Sequence, residues 1–253
     1  MKKIAFILAL VMIFSSALWG CDTAETDTTG QAKDGLEDTS EIKKIEENLD
    51  FDLDTSLLYK DLLDTYIELQ TYGKNGDVSL LEAKDYPKVS PEIFSTLQSV
   101  AMNSYVMGYA RKDLNKDGVP ELILLNIDYE IFAIFTVSGG KLMTVDTFYS
   151  NNHIGAIDSD GTVYKSGYSK GESGYCSVKT LSAFGELTGL SFGSIDSNDE
   201  IKFYKTVDDE NVYITDQELK ELSATYSHIF SDMQNVTANA GLTLELIVEY
   251  DPK

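Results

Sequence analysis

The spacing of apolar side chains divides the chain into a helical first part and a β-rich second part. A helix-start cluster at residues 54–56 is followed by apolar residues at helical spacing, namely Leu58, Leu62, Tyr66 and Leu69. Gly73 is predicted to end this helix. A short charged helix is predicted over residues 41–49, and another helix begins at Ser90-Pro91, because proline is favoured at the first helical position.

From residue 105 onward, apolar and polar residues alternate, which is typical of β-strands. The predicted strands cover residues 105–111, 121–126, 131–137, 142–148, 162–168, 175–183, 187–194, 201–207 and 212–214. Short clusters of Gly, Asn, Asp and Ser separate them, as at Ser138-Gly139-Gly140. Consecutive strands joined by short turns form hairpins, so the pattern predicts an antiparallel meander.

After the strands, the pattern returns to a helix and then to a closing strand. Thr215 and Glu218 have the spacing of a capping box, which predicts a helix from there to about Phe230. Residues 242–250 are the predicted closing strand. The fold class is therefore α+β: N-terminal helices, an antiparallel meander, a late helix and a C-terminal strand. We expect a single domain over residues 41–253, helical in 41–103 and mainly β in 104–253.

The first 21 residues have the pattern of a bacterial export signal. Met1-Lys2-Lys3 is a basic start, and residues 4–18 are apolar or small, too few for a comfortable membrane span. Leu18-Trp19-Gly20-Cys21 resembles a lipobox, although Trp19 stands where a small residue is usual. The resemblance implies that 1–20 is a lipoprotein signal peptide and that Cys21 carries a palmitate-type lipid anchor. The alternative is ordinary cleavage nearby, with Cys21 incidental.

A short acidic segment separates the predicted anchor from the domain. Residues 21–40 are rich in Thr, Asp, Glu and Gly and contain few large apolar side chains, which predicts a disordered tether. The lipobox resemblance and this tether together place the protein at the extracytoplasmic face of the bacterial membrane.

Net charge excludes several partners. Twenty Lys and Arg residues against 42 Asp and Glu residues give a net charge of −22. Such a negative field repels phosphate backbones and anionic lipid headgroups, so no nucleic-acid partner is expected. The protein is expected to be a monomer. Only two cysteines and two histidines are present, which excludes a disulfide scaffold and a His-rich metal centre.

One loop carries oxygen-bearing residues at alternate positions, over residues 113–121. Its candidate ligands for a hard cation are the side chains of Asp113, Asn115, Asp117 and Glu121 and the backbone carbonyl of Val119. Gly118 permits a sharp turn in the middle of this loop. Calcium is the cation that such an oxygen set favours. The alternative is an acidic, turn-forming loop that binds no metal.

The same loop resembles the calcium loops of FG-GAP repeats. It is still more similar to the single DxNxDGxPEL unit of uncharacterised surface lipoproteins from Gram-positive bacteria. The resemblance implies that Asp113, Asn115, Asp117, Val119 and Glu121 bind a structural Ca²⁺ between two strands. The loop departs from an EF-hand, because Leu124 stands at the twelfth position, where that motif places a bidentate Glu.

Weaker motifs leave an enzymatic alternative open. Residues 167–171 match G-x-S-x-G, with His228 downstream, but loop-forming residues follow where a nucleophile elbow needs a helix. Residues 138–141 match S-x-x-K within a predicted hairpin turn, which argues against a catalytic role. Cys176 is predicted to be a buried small residue on a strand. A possible sugar-stacking platform comprises Tyr149, Tyr164, Tyr168 and Tyr175.

The sequence favours a non-enzymatic, calcium-stabilised surface lipoprotein that binds an extracellular glycan or protein. An envelope hydrolase that acts on cell-wall or sugar substrates is the alternative, and a purely structural role is a third possibility. An enzyme requires acid, base or nucleophile groups in one concave pocket, whereas a binding module requires an exposed surface.

Overall fold

The computed structural model describes residues 39–73, 76–103, 108–148, 153–167, 172–197, 200–207 and 210–247, with side chains in the first helix from Thr55 onward. The predicted signal peptide, Cys21 and nearly all of the tether lie outside these residues. Contacts divide the chain into two units, Met1–Lys43 and Lys44–Lys253. The fold described below is that of the second unit.

Four helices and eleven strands form the described fold. The helices are α1 (Thr39–Gly73), α2 (Pro91–Asn103), α3 (Asp216–Phe230) and α4 (Met233–Ala238). Two 3₁₀ turns, Val78–Leu80 and Ala83–Asp85, connect α1 to α2. The first strands are β1 (Gly108–Lys112), β2 (Glu121–Leu125), β3 (Ile131–Ser138), β4 (Lys141–Thr147), β5 (Ile154–Ile157) and β6 (Val163–Gly167). The others are β7 (Glu172–Leu181), β8 (Leu187–Ser197), β9 (Glu200–Val207), β10 (Glu210–Ile214) and β11 (Glu245–Leu246).

The strands form two antiparallel sheets. The first sheet has the order β11-β1-β2-β3-β4, and the second has the order β10-β9-β8-β7-β6-β5. Chain neighbours pair within each sheet, so each sheet is a meander, and the C-terminal strand β11 joins the first sheet beside β1. The α+β class, the N-terminal helices, the late helix and the C-terminal strand are confirmed.

Side-chain packing arranges these elements in four layers. One core lies between α1 and α2 and the first sheet, where Tyr66 and Leu97 pack against Leu122 and Phe135. A second core lies between the two sheets and joins Ile123 of β2 to residues of the second sheet, such as Val163. A third, smaller core joins Tyr164 of the second sheet to α3 and α4. The order of layers is therefore helix, sheet, sheet, helix.

One sequence prediction about the helices is wrong, and one helix was not predicted. The helix break predicted at residues 54–56 does not occur, since α1 runs through it and Thr55 is buried inside the helix. Residues 50–56 contain no Gly or Pro, so no residue in this stretch prevents the helix from continuing. The helix α4 was not predicted, because its six residues are too few to show a helical period.

Most of the strand predictions agree with the structure, with two exceptions. The four-residue strand β5 was not predicted. The closing strand is described only over Glu245–Leu246, and residues 248–250 lie outside the described part. Leu242 and Leu244, placed in that strand by their spacing, instead pack into the core between the two sheets.

Candidate functional site

The candidate site is the loop that joins β1 to β2, over residues 113–120. Lys112 and Glu121 are paired at the ends of these strands, so the loop begins and ends at one point of the first sheet. The loop has two backbone positions in the left-handed region, Lys116 with φ 61° and Gly118 with φ 91°. Gly118 is the residue that tolerates such a φ without strain.

Hydrogen bonds hold the polar side chains of the loop on its inner side. Asp113 Oδ1 accepts from the Asp117 amide at 3.2 Å, and Asp113 Oδ2 accepts from the Gly118 amide at 3.0 Å. Asn115 Oδ1 accepts from the same Asp117 amide at 3.0 Å. Asp117 Oδ1 accepts from the Val119 amide at 2.8 Å. Asp113, Asn115 and Asp117 are therefore brought together.

Glu121 is fully buried at the base of the loop. Its Oε2 accepts from the Leu114 amide at 2.7 Å, and its Oε1 accepts from the Thr136 hydroxyl at 2.9 Å. Burial raises the pKa of this carboxyl to about 7, against its two hydrogen bonds, and the negative charge of Asp117 raises it further. The carboxylate thus points into the loop, toward the backbone of Leu114.

The loop contacts two other layers of the fold, the N-terminal helices and the second sheet. Tyr59 of α1 donates its hydroxyl to the Pro120 carbonyl at 2.9 Å. Asn115 Nδ2 donates to the Ser182 carbonyl, in the turn between β7 and β8, at 3.2 Å. In the turn between β5 and β6, a Cβ at Gly161 would overlap the Leu114 carbonyl. The loop therefore lies at the junction of the two sheets.

A lysine beside the loop strengthens the same junction. Lys112 donates to the Ser159 carbonyl at 3.0 Å and to the Ala240 carbonyl at 2.7 Å. These bonds connect the end of β1 to the β5–β6 turn and to the segment after α4. The sequence pattern does not indicate these contacts, because nothing around Ser159 or Gly161 shows which distant backbone packs there.

The described residues contain no group of three or more His, Cys, Asp or Glu side chains close enough together to hold a metal ion. Both oxygens of Glu121 have hydrogen-bond donors within the protein. Val119 is buried, and its amide donates to Asp117. The loop thus has the oxygen ligands that calcium favours, and in this conformation those oxygens accept hydrogen bonds from loop amides and from the Thr136 hydroxyl.

The other residues that the sequence patterns singled out lie at separate places in the fold. Cys176 lies half-buried on β7, and burial raises the pKa of its thiol to about 11, which leaves little thiolate at neutral pH. Tyr164 is buried and donates to Asp158 at 2.8 Å, while Tyr175 is half-buried against the His153 ring. His228 is exposed on α3. Tyr149 and residues 168–171 lie outside the described part of the chain.

A groove that sequence patterns did not indicate lies between α3 and the second sheet. It has a volume of about 540 Å³ and includes Cys176, Phe192 and Leu219 in its lining. Its walls come from strands and a helix that are distant in sequence, so no local motif could have revealed it.

Comparison of the chain with protein-family models, with curated proteins and with solved structures found no significant match. Among the residues that the structure describes, no helix has both the length and the apolar character needed to cross a membrane.

Proposed function

We propose that the protein is a calcium-stabilised, non-enzymatic surface lipoprotein that binds an extracellular glycan or protein. The observation that carries the proposal is the loop at residues 113–121. It gathers the oxygens of Asp113, Asn115 and Asp117 on its inner side, with the buried Glu121 carboxylate at its base.

The proposed Ca²⁺ ligands are the side chains of Asp113, Asn115, Asp117 and Glu121 and the carbonyl of Val119. A bound ion replaces internal hydrogen bonds of these oxygens and offsets the repulsion between the carboxylates. Because the loop touches α1 and both sheets, the ion stabilises the junction of the layers. Its role is structural, and the partner binds elsewhere on the surface.

The calcium proposal is tested by thermal melting with excess Ca²⁺ and with a chelator. At ten times the dissociation constant, linkage stabilises the fold by roughly 1.4 kcal/mol. For a domain of this size we expect the melting temperature to rise by about 3–6 °C. Asp117→Ala should abolish the rise, whereas Asp128→Ala should keep it, since Asp128 is an exposed aspartate in another loop. A wild-type melting temperature that is the same with Ca²⁺ and with chelator would contradict the proposal.

The lipid anchor at Cys21 and the extracytoplasmic location rest on the lipobox resemblance and the acidic tether. Cys21→Ser should move the protein from the membrane fraction to the soluble fraction, because the acyl chains supply the membrane affinity. Cys176→Ser is the matched control and should stay at the membrane. Equal membrane retention of both variants would show that Cys21 is not the anchor.

The alternative function, an envelope hydrolase, gains no support from the groove beside α3. Its lining, as far as the structure describes it, contains Ser and Cys but no carboxylate or imidazole to act as acid or base. The raised pKa of Cys176 also opposes a nucleophilic role for that thiol. A binding module remains the function that the geometry favours.

A further inference from the structure

The late helix α3 covers the second sheet incompletely. Its apolar stripe consists of Leu219, Leu222, Tyr226 and Ile229, all of them only half-buried. None of the residues of α3, each of which the structure describes, is buried. By contrast, Leu97 and Val100 of α2 are fully buried against the first sheet. The apolar stripe of α3 is therefore covered less completely than that of α2.

The groove of about 540 Å³ lies between α3 and the second sheet. Ser166, Cys176 and Phe192 form its floor as directly opposed neighbours on β6, β7 and β8. Leu219 and Ser223 line it from the helix. Phe192 stacks on Tyr226 with ring centroids 6.0 Å apart, so an aromatic cluster borders the groove. A volume of this size is within the usual range of small-molecule sites.

The lining selects an uncharged ligand. It combines apolar side chains with the hydroxyls of Ser166, Ser194 and Ser223 and the protonated thiol of Cys176, and none of the described lining residues carries a charge. The nearest positive side chain is Lys205, opposed to Phe192 on β9, which is not part of the lining and interacts with the Glu218 carboxylate of α3. An anion in the groove would therefore meet no free positive charge, in a chain with net charge −22. A buried cation would have no carboxylate partner, and an unpaired charge is costly to bury.

We infer that the groove between α3 and the second sheet binds one neutral, largely apolar small molecule. Its apolar body packs against Phe192 and Leu219, and the serine hydroxyls supply a few polar contacts. The site lies on the opposite face of the second sheet from the core between the sheets. Binding is therefore independent of calcium and of the glycan or protein partner proposed above.

The probe for this inference is 1-N-phenylnaphthylamine, a neutral apolar dye that fluoresces when it leaves water. The chain carries Cys21→Ser, so that no lipid competes for the dye, and the measurement is made with chelator present. We expect saturable binding of one dye per chain. The anionic dye 1-anilinonaphthalene-8-sulfonate should bind at least about tenfold more weakly, because its charge would lack a partner. Absence of saturable binding, or equal affinity for the anionic dye, would overturn the inference.

Two serine variants of α3 locate the dye. Ser223→Phe places a ring in the groove and should weaken dye binding by at least about tenfold, since the ring occupies the space of the ligand. Ser227→Phe is the matched control, because Ser227 is exposed one turn along and does not line the groove. Its dye affinity should equal that of the parent chain. Equal affinities in both variants would mean that the dye binds elsewhere.

A third measurement needs no change in the groove. In the Cys21→Ser chain, Cys176 is the only thiol, and N-ethylmaleimide modifies it at a measurable rate. At ten times its dissociation constant the neutral dye should slow this reaction about tenfold, because only the unbound fraction reacts. An unchanged rate with the dye bound would place the dye outside the groove and overturn the inference.

Discussion

The two sheets of this protein are covered very differently. In the first sheet every residue of β2 is buried, as are seven of the eight residues of β3, because helices pack on one face and the second sheet on the other. In the second sheet, β10 is exposed in four of its five residues, and the helix above the sheet has no buried residue along its described length. The first sheet is a core layer, and the second is a partly open one.

This difference in burial predicts that stability and the proposed ligand binding depend on different sheets. Apolar area removed from water stabilises the fold, so most of the stabilisation comes from the side of α1, α2 and the first sheet. The side of α3 contributes less and leaves space for a ligand. Regions with few buried apolar contacts also open with lower free energy, which suits a binding groove.

The comparison predicts unequal costs for one substitution at two positions. Leu124→Ala, in the buried strand β2, should lower the free energy of unfolding by about 3–5 kcal/mol, because it leaves a cavity in a close-packed core. Leu222→Ala, on α3, should cost about 1 kcal/mol or less, since the side chain is half-buried and its surroundings can relax. Urea unfolding of the two variants measures both values. Equal costs would mean that α3 is packed as tightly as β2.

Local signals predicted the parts of the fold that local chemistry determines. The capping box at Thr215 is present, with the Thr215 amide donating to Glu218 at 2.9 Å. The helix that begins at Pro91 and the turn at Gly139-Gly140 also lie where the sequence placed them. These features depend on residues at most a few positions apart, so the sequence pattern contains them directly.

Features that depend on distant contacts were not predicted. The division of the strands into two sheets leaves no mark in the pattern, because the sequence does not show that the consecutive strands β4 and β5 are not paired with each other. The buried strands β2 and β3 are apolar on both faces, a sign of a sheet covered twice, yet they were assigned to a simple alternating meander. For the candidate site, the sequence pattern indicates the loop residues but not the hydrogen bond between Glu121 and Thr136.

Glu121 is an ionisable side chain buried in the first sheet. Its pKa of about 7 when folded, against an ordinary value of 4.5, means that folding favours the protonated form. The stability contributed by this group is present below about pH 4.5 and is lost as the pH rises through about 7. In calcium-free protein this loss amounts to roughly 3 kcal/mol at most.

Glu121→Gln should therefore flatten the fall in stability between pH 4.5 and pH 7, as measured by urea unfolding at several pH values with chelator. Thr136→Val removes a hydrogen bond to the same carboxylate without changing the charge, so this variant separates the effect of the hydrogen bond from the effect of the charge. Saturating Ca²⁺ should reduce the pH dependence of the wild type, since a bound cation favours the ionised carboxylate. A wild-type stability that is constant over this range in chelator would show that Glu121 does not titrate there.

The smallest predicted effect concerns the contact between the two sheets, at Gly161. This residue has φ +90°, and a Cβ there would overlap the Leu114 carbonyl in the candidate loop. Gly161→Ala should therefore cost about 2 kcal/mol, the sum of left-handed backbone strain and the separation of the turn from the loop. Gly139→Ala is the matched control, because Gly139 has φ +58° and no atom within 4 Å of the added Cβ. It should cost about 1 kcal/mol, from backbone strain alone.

Thermal melting of both variants, with Ca²⁺ and with chelator, measures the difference. If the loop stabilises the junction through calcium, only Gly161→Ala should also reduce the calcium-dependent rise in melting temperature. Equal costs and equal calcium responses would mean that the contact between Gly161 and Leu114 does not couple the sheets.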